Sequence, residues 1–173
     1  VSDFLCQEAI KVFDCEKSIR RIYNFINPKD YVDIFDLELK HKLAPDNEKL
    51  LVHISNYRPI KRVGDVMKVF LNLRKSIKVK LVLVGQGPEL EGIKKLVEKE
   101  NLSNEVVFCD LQIDVKKILA VSDLLLLPSE SESFGLVALE SMAAGTPAIT
   151  TDVGGLTEVI TDGQTGRTCK LGD

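Results

Sequence analysis

The sequence predicts an α/β domain with a Rossmann-like, doubly wound parallel sheet from about residue 46 onward. Short apolar runs alternate with longer amphipathic segments, as in proteins whose parallel strands are connected by helices. The apolar runs are nearly continuous, which is typical of strands that are covered on both faces. Residues 1–45 do not follow this alternation, so we expect them to form a separate part of the chain.

The elements can be assigned in order along the chain. Strands are expected at 50–55, 80–85, 106–109, 124–128, 147–150 and 166–171. Apolar residues recur at helical spacing in 63–76, 89–100, 114–121, 135–144 and 155–160. Before the sheet we expect one helix from Asp3 to Phe13, and then a tail and linker with an Asn-Pro turn signal.

The composition narrows the class of protein. With 173 residues, 45% hydrophobic and 28% charged, the chain is long and apolar enough to bury a core. A net charge of −3 argues against a nucleic-acid partner, because phosphate-tracking surfaces need a concentrated basic face. Since the sequence shows neither a membrane span nor a signal peptide, we expect a soluble, cytoplasmic setting.

The cysteines and the central histidine indicate no metal or redox site. Cys6, Cys15, Cys109 and Cys169 are scattered and form no CxxC pair, so we expect them to be reduced and mostly buried. His53 lies within a predicted strand without the pattern of a catalytic base, and we interpret it as structural.

The loops after the strands are the expected ligand-binding region, since open parallel sheets bind ligands beyond the carboxyl ends of their strands. These loops read SNYRPIKR, GQGPE, CDLQ, PSESESFG and TDVGG. Three contain glycines, which allow backbone amides to approach a ligand closely. Turn chemistry is the favoured account of the glycines in GQGPE and of Gly154 and Gly155, although the last two can also approach a ligand.

The fourth loop, PSESESFG, contains the elements of an anion-binding site. Pro128 ends the strand, and the next helix is expected to start near Phe134 or Gly135. The amides of Gly135, Leu136 and Val137 then lack intrahelical partners and can bind an anion.

Two glutamates flank this anion site. Glu132 precedes the helix, and Glu140 lies roughly 8 Å along it at about 1.5 Å per residue. Ionised carboxylates only accept hydrogen bonds, so both suit sugar hydroxyls. Two hydroxyl-bearing rings with an anion between them describe a nucleotide-sugar. The alternative is that Glu132 complements the helix dipole and Glu140 is a solvated helix residue.

A cation is expected to balance these acids, and the first loop offers three. Arg58, Lys61 and Arg62 stand at the start of a helix, where positive charge opposes the helix dipole. Stability alone would not select them, so we interpret them as clamps on phosphate. For Arg62, a solvated basic turn remains a reasonable alternative.

Together these motifs resemble the donor-binding half of the retaining glycosyltransferases of family 4, which have the two-domain GT-B fold. The resemblance rests on Glu132-x7-Glu140 within ESFGLVALESMAAGTPAI, on GGLTEVI after it and on LVGQGPE before it. It covers essentially the whole chain. It implies that residues 1–45 are the end of the N-terminal domain and the interdomain connector, and that residues 46–173 are the donor nucleotide-sugar domain, truncated before its closing helices.

Within the family, YNFI, HISNYRPIKRVGDV and SESESFGLVALE are most similar to enzymes of bacillithiol biosynthesis that transfer N-acetylglucosamine from UDP to L-malate. This resemblance implies a UDP-sugar donor, namely UDP-N-acetylglucosamine, and a small acceptor, L-malate, bound mainly by the N-terminal domain. It also implies transfer with retention and no cofactor, and the sequence has no DxD motif for a metal. The chain by itself is expected to be inactive.

The resemblance also implies residue roles. Glu140 would hold the ribose, Glu132 the donor sugar, and the amides after Phe134 the distal phosphate and sugar. Lys61 would hold the pyrophosphate, and the loop from Cys109 to Leu111 would border the base.

One position departs from the family pattern. Many members have an arginine five residues before the lysine, and here that position is Asn56. Arg58 is the candidate to replace it. Lys61, Arg58 and Glu132 are therefore the catalytic candidates, with the cations stabilising charge on the departing UDP.

Two other classes of function stay open. The chain can be a non-catalytic UDP-sugar-binding module or one subunit of a split glycosyltransferase, which a partner chain would complete. It can also be an unrelated nucleotide- or phosphate-binding switch domain, whose binding would ignore the sugar. The motifs do not determine the acceptor, the donor base and sugar, or whether the chain forms a homo-oligomer.

Overall fold

The computed structural model describes residues 1–14, 19–110 and 114–173, and these contain six strands in one sheet. The strands are β1 (Lys49–Ile54), β2 (Val79–Val84), β3 (Val106–Cys109), β4 (Leu124–Leu127), β5 (Ala148–Thr151) and β6 (Arg167–Cys169). Their order across the sheet is β3-β2-β1-β4-β5-β6, and neighbouring strands pair in parallel. This order confirms the predicted Rossmann-like, doubly wound class.

Helices connect and precede these strands. The described residues form α1 (Asp3–Phe13), α2 (Leu37–Leu43), α3 (Val63–Leu73), α4 (Leu90–Lys99), α5 (Val115–Val121) and α6 (Leu136–Ala143). Short 3-10 segments occur at Pro28–Tyr31, Pro59–Lys61 and Gly154–Glu158. None of the helices in the described part of the chain has the length and apolar character needed to cross a membrane.

The sheet carries an apolar layer on each face, which explains the nearly continuous apolar strands. Leu50, Val52 and Ile54 pack on one face with residues of α5 and α6. Leu51 packs on the other face, in a cluster that includes Phe70 of α3. Because side chains alternate along a strand, both sets of positions must be apolar when both faces are covered.

The prediction that residues 1–45 form only one helix followed by a linker was wrong at α2. Asp36 begins this helix by accepting a hydrogen bond from the amide of Leu39 at 3.0 Å. The ammonium of Lys40 donates to the Asp123 carboxylate at 2.7 Å, and Leu43 is buried in the core beside α5. These contacts tie α2 to the sheet domain, and the periodic signal of so short a helix is weak.

The prediction of a helix at 155–160 was also wrong. Gly154–Glu158 forms a 3-10 turn instead. Its hydrogen bonds span three residues, from the amide of Leu156 to the carbonyl of Val153 at 3.1 Å and from the amide of Val159 to the carbonyl of Leu156 at 3.0 Å. The backbone of Gly154 and Gly155 packs directly against the loop that follows β4, and the segment forms only a single turn.

The three cysteines in the described part of the chain are free thiols, but the expectation that they are mostly buried was wrong for them. Cys6, Cys109 and Cys169 are free thiols with intermediate exposure. Cys15 lies outside the described residues.

Candidate functional site

The candidate site lies at the carboxyl edge of the sheet, between β1 and β4. The chain winds outward in opposite directions from this pair, so the loops that follow the two strands diverge and leave a crevice. A cavity of about 240 Å³ opens there. It is lined by Ile54, Ser55, Asn56, Lys61, Leu127, Glu132, Gly135, Leu136 and Val137. Six of these residues belong to the site predicted from the sequence.

A larger cavity, of about 440 Å³, lies at the opposite edge of the sheet, where the strands begin. Its rim includes Arg74 and Glu105, whose side chains are joined by two hydrogen bonds at 2.6 and 2.8 Å. These charges satisfy each other on the surface. The loops of the doubly wound fold that bind ligands are at the other edge, so we place the candidate site in the smaller cavity.

The start of α6 gives the cavity its anion-binding character. Gly135 precedes the helix with φ of 92°, and none of the described side chains caps this helix end. This left-handed φ favours glycine, and a β-carbon at Gly135 would also lie only 2.5 Å from Leu156 Cδ2. Leu136 and Val137, the first residues of the helix, line the cavity. Their amides are the groups that a helix start leaves without intrahelical partners.

Lys61 and Glu132 meet at this helix start. The Lys61 Nζ and a Glu132 Oε are 2.5 Å apart, and the two side chains are only 19% and 20% exposed. Lys61 lies at the end of the 3-10 segment Pro59–Lys61, which follows β1, and Glu132 lies in the loop that follows β4. The predicted balancing cation is therefore present, and it is paired with one of the two predicted sugar ligands.

The other two basic residues of the first loop lie elsewhere. The Arg62 guanidinium bonds to the Asp65 carboxylate at 2.5 Å on the first turn of α3. Hydrogen bonds from Lys68 and Arg62 lower the pKa of Asp65, which marks a stable surface network. Arg58 is exposed and is not among the described residues that line the cavity. Asn56, at the family's arginine position, does line it.

Glu140 is half-buried on α6, outside the lining of this cavity. Burial raises the pKa of its carboxyl, and the positive charge of Lys116 on α5 acts in the opposite direction. The Lys116 ammonium lies 5.7 Å from the centre of the Tyr31 ring and 3.7 Å from the Asp30 carboxylate. The structure therefore separates the two glutamates: Glu132 lies in the cavity, and Glu140 lies toward α5 and the segment that precedes the sheet.

Of the remaining predicted residues, Phe134 and Cys109 do not line the cavity. Phe134 is buried, and its ring centre lies 5.9 Å from that of Tyr23. Cys109 ends β3 half-buried, and burial raises the pKa of its thiol, so it is not a ready nucleophile. Leu111 lies outside the described residues.

Gly154 and Gly155 support the site rather than line it, as the turn interpretation predicted. The amide of Gly155 donates to the carbonyl of Glu132 at 2.8 Å. A β-carbon at Gly154 would lie 2.3 Å from that same carbonyl oxygen, and one at Gly155 would lie 2.3 Å from the carbonyl oxygen of Ser133. Two backbones are therefore packed directly against each other beneath the glutamates.

Sequence reasoning missed Ser55, which lines the cavity beside Lys61. The fully buried His53 contacts the carbonyl of Leu126 through Nδ1 and the Ser55 hydroxyl through Nε2, both at 2.8 Å. Burial lowers the pKa of His53 to about 4, so the imidazole is neutral and has one N–H. That N–H donates to Leu126, so the Ser55 hydroxyl must donate to Nε2, and its orientation is fixed. The signal in the sequence was the two-residue spacing of His53, in β1, and Ser55, directly after it, because alternate residues of an extended chain share a face.

The fold is a Rossmann-like domain of the kind that binds ligands at this edge of the sheet. The chain belongs to the family of glycosyl transferases group 1, which residues 35–173 match. Over its whole length the chain is 44% identical to N-acetyl-alpha-D-glucosaminyl L-malate synthase of Bacillus anthracis, of which it covers 46%. It is 31% identical over 170 residues to an uncharacterized glycosyltransferase of Methanocaldococcus jannaschii, with 92% of this chain and 43% of that protein covered. The chain thus spans less than half the length of these two relatives.

Solved structures with a similar fold also match this chain. A protein of Anabaena called HepE, in complex with UDP and glucose, is 27% identical with a TM-score of 0.75, covering 88% of this chain and 43% of that one. A glycosyltransferase of Rickettsia africae has a TM-score of 0.85 over 100% of this chain and 48% of that one. Its identity is 22%, so it supports the fold alone. The GT-B type of Rossmann-like sheet and the family predicted from the motifs are confirmed.

Proposed function

We propose that the chain is the donor-binding part of a retaining glycosyltransferase that uses UDP-N-acetylglucosamine and transfers its sugar to L-malate. The observation that carries this proposal is the Lys61–Glu132 pair at the uncapped start of α6. A cation and free amides suit a pyrophosphate, and an adjacent carboxylate suits sugar hydroxyls. All three occur within one cavity.

The finer identity of the ligands is supported by the relatives. The Anabaena protein was solved with UDP and with UDP-glucose, which favours a uridine nucleotide. The Bacillus anthracis relative favours N-acetylglucosamine as the sugar and L-malate as the acceptor.

In the proposed mechanism, the ion pair reorganises when the donor binds. The pyrophosphate takes the Lys61 ammonium and the amides of Leu136 and Val137, and the Glu132 carboxylate turns to a sugar hydroxyl. As the bond from the anomeric carbon to the phosphate oxygen breaks, negative charge grows on UDP, and the lysine and the helix amides stabilise it. The acceptor oxygen bonds to the anomeric carbon on the same face, and its proton passes to a phosphate oxygen of the leaving UDP.

The nucleoside half of the donor is assigned to the other side of α6. Glu140 would accept hydrogen bonds from the ribose hydroxyls, and the base would lie near Cys109 at the end of β3. We further propose that the first part of the chain is the end of an N-terminal domain and a connector. The family match begins at residue 35, and α2 packs on the sheet domain, so we move the start of the donor domain from residue 46 to about residue 35.

A calorimetric comparison of UDP, GDP, ADP, UDP-glucose and UDP-N-acetylglucosamine tests the proposal on the 173-residue chain. We expect UDP-N-acetylglucosamine to bind best and the chain alone to transfer nothing to L-malate. Equal affinity for the three nucleotides, or binding that ignores the sugar, would instead favour a general phosphate-binding switch domain. Steady transfer to malate by the chain alone would contradict the assignment of the acceptor site to another part of the enzyme.

A further inference from the structure

The loop that carries Glu132, residues 129–135, which we call the glutamate loop, is held through its main chain by four different segments. One of them is β5, where the Thr151 hydroxyl donates to the carbonyl of Ser129 at 2.5 Å. Three further bonds hold the rest of the loop. The amide of Glu130 donates to the carbonyl of Ile60 at 2.8 Å, and the carbonyl of Glu132 accepts from Gly155 at 2.8 Å. The third bond comes from α1, where the Ser2 hydroxyl donates to the carbonyl of Ser133 at 2.5 Å.

The direction of the Ser2 bond is fixed by its second role. Its oxygen accepts a hydrogen bond from the amide of Leu5 at 3.1 Å, as the N-cap of α1. The proton is therefore free to go to Ser133, whose carbonyl oxygen can only accept. Ser2 is completely buried between the helix and the loop, so no water competes for this bond.

Glu158 also holds the N-terminal end of α1. Its two carboxylate oxygens each accept one amide hydrogen, from Asp3 and from Phe4, both at 2.9 Å. Glu158 ends the 3-10 turn that begins with Gly154 and Gly155, and that turn packs on the glutamate loop without space for a single β-carbon. The start of α1, the 3-10 turn and the glutamate loop thus form a closed set of contacts.

We propose that Ser2 and Glu158 are positioning residues for the sugar half of the donor. Neither lines the cavity, so they act by holding the main chain on both sides of the Glu132 side chain. A carboxylate that must reach a sugar hydroxyl tolerates little displacement, because hydrogen bonds weaken steeply with poor geometry. This inference rests on the proposed function: it makes α1 part of the machinery that reads the donor sugar.

The test compares Ser2→Ala and Glu158→Gln with the unaltered chain, using UDP and UDP-N-acetylglucosamine in calorimetry. Ser2→Ala loses the bond to Ser133 together with the N-cap bond from Leu5, and Glu158→Gln loses one of its two bonds to the helix amides. We therefore expect the affinity gained from the sugar to fall by about two- to tenfold in each. The affinity for UDP itself should change less, because its ribose and base lie on the far side of α6. Ser2→Thr keeps the hydroxyl and should restore the gain.

Glu105→Gln is the matched control. Glu105 also uses both oxygens, to bind Arg74, but it lies at the opposite edge of the sheet. Glu105→Gln should leave the affinity gained from the sugar unchanged, even if it lowers the stability of the chain as much as the other two variants do. Hydrogen exchange without ligand adds a second measurement: the Gly155 amide should exchange faster in Ser2→Ala and Glu158→Gln and not in Glu105→Gln.

The outcomes separate this inference from the proposed function. If the unaltered chain binds neither ligand, the proposed function fails, and with it the role in reading the sugar. If the unaltered chain prefers the sugar nucleotide but both variants keep that preference, the inference fails while the proposed function stands. An equal loss of affinity for UDP and for UDP-N-acetylglucosamine would also overturn it, because it would show a merely structural role.

Discussion

Acidification should destabilise this protein through His53 before it affects the carboxylates. The pKa of His53 falls from 6.5 to about 4 on folding, because the ring is buried, and the charge of Lys61 acts in the same direction. Below pH 6.5 the unfolded chain therefore binds a proton at this residue that the folded chain refuses. Stability is highest above pH 6.5 and falls as the pH drops toward 4.

The magnitude follows from the two pKa values. A tenfold difference in proton affinity is worth about 1.4 kcal/mol. The loss should therefore be about 2 kcal/mol at pH 5 and about 3 kcal/mol below pH 4. Carboxyls such as Glu105, whose pKa is lowered by Arg74, lose their contribution only below the ordinary glutamate pKa of 4.5. The raised pKa of Glu140 has the opposite effect and stabilises the folded chain as the pH falls toward 4.5.

Urea unfolding of the chain at pH 8, 6.5, 6 and 5 measures this loss. His53→Gln is the comparison, since it can still bond to Leu126 or Ser55 but does not titrate. It should be less stable at pH 8 and should then keep its free energy of unfolding almost constant down to pH 5. If the unaltered chain is equally stable at pH 8 and pH 5, or if both proteins lose stability in parallel, His53 is not the group responsible.

Three further predictions concern the site. Glu140→Gln should weaken UDP binding, whereas Glu132→Gln should spare UDP and weaken the sugar-dependent part, each by about 1.5 to 3 kcal/mol in calorimetry. In an enzyme that includes the acceptor-binding part, Lys61→Ala should lower kcat by about 100- to 1000-fold and change the donor KM less, because the charge it stabilises grows in the transition state. Gly155→Ala should destabilise the chain by roughly 1–3 kcal/mol in urea unfolding, because its β-carbon would overlap the Ser133 carbonyl.

Each of these predictions has a control in the same chain. Equal effects of the two glutamate changes on UDP would show that the ribose and sugar roles are wrongly divided. Arg62→Ala should be nearly silent in kinetics, since Arg62 is bonded to Asp65; if it is damaging and Lys61→Ala is harmless, the assignment of this loop is wrong. Gly64→Ala adds a β-carbon that meets nothing within 4 Å, so a similar loss of stability there would refute the packing argument for Gly155.

The sequence by itself determined the sheet. Residues 81–84 are apolar at every position because both faces of the sheet are covered, and that requirement is visible without coordinates. The ends of the strands in the structure lie within two residues of the predicted ones, and β3 has the predicted bounds. The start of α6 was equally visible, because Pro128 and Gly135 fix where a strand ends and where a helix can begin.

Only the tertiary structure decided which charges of the first loop meet the glutamates. Charge and spacing alone do not distinguish Arg58, Lys61 and Arg62, although the family resemblance favoured Lys61. In the structure the 3-10 segment Pro59–Lys61 turns Lys61 toward Glu132 and leaves Arg62 on Asp65. The direction of a side chain on a short turn depends on left-handed residues such as Arg62, with φ of 52°. Local sequence does not specify such values for a non-glycine residue.

The same limit applies to contacts between distant segments. Ser2 and Ser133 are 131 positions apart, and His53 reaches Leu126 across 73 positions. Sequence patterns record which face of an element is apolar, and they found the sheet because that signal repeats along each strand. A single buried hydrogen bond leaves no repeat in the sequence, since either partner could be satisfied in many other ways. The packing of α1 and the glycine turn around the glutamate loop therefore became visible only when the chain was folded.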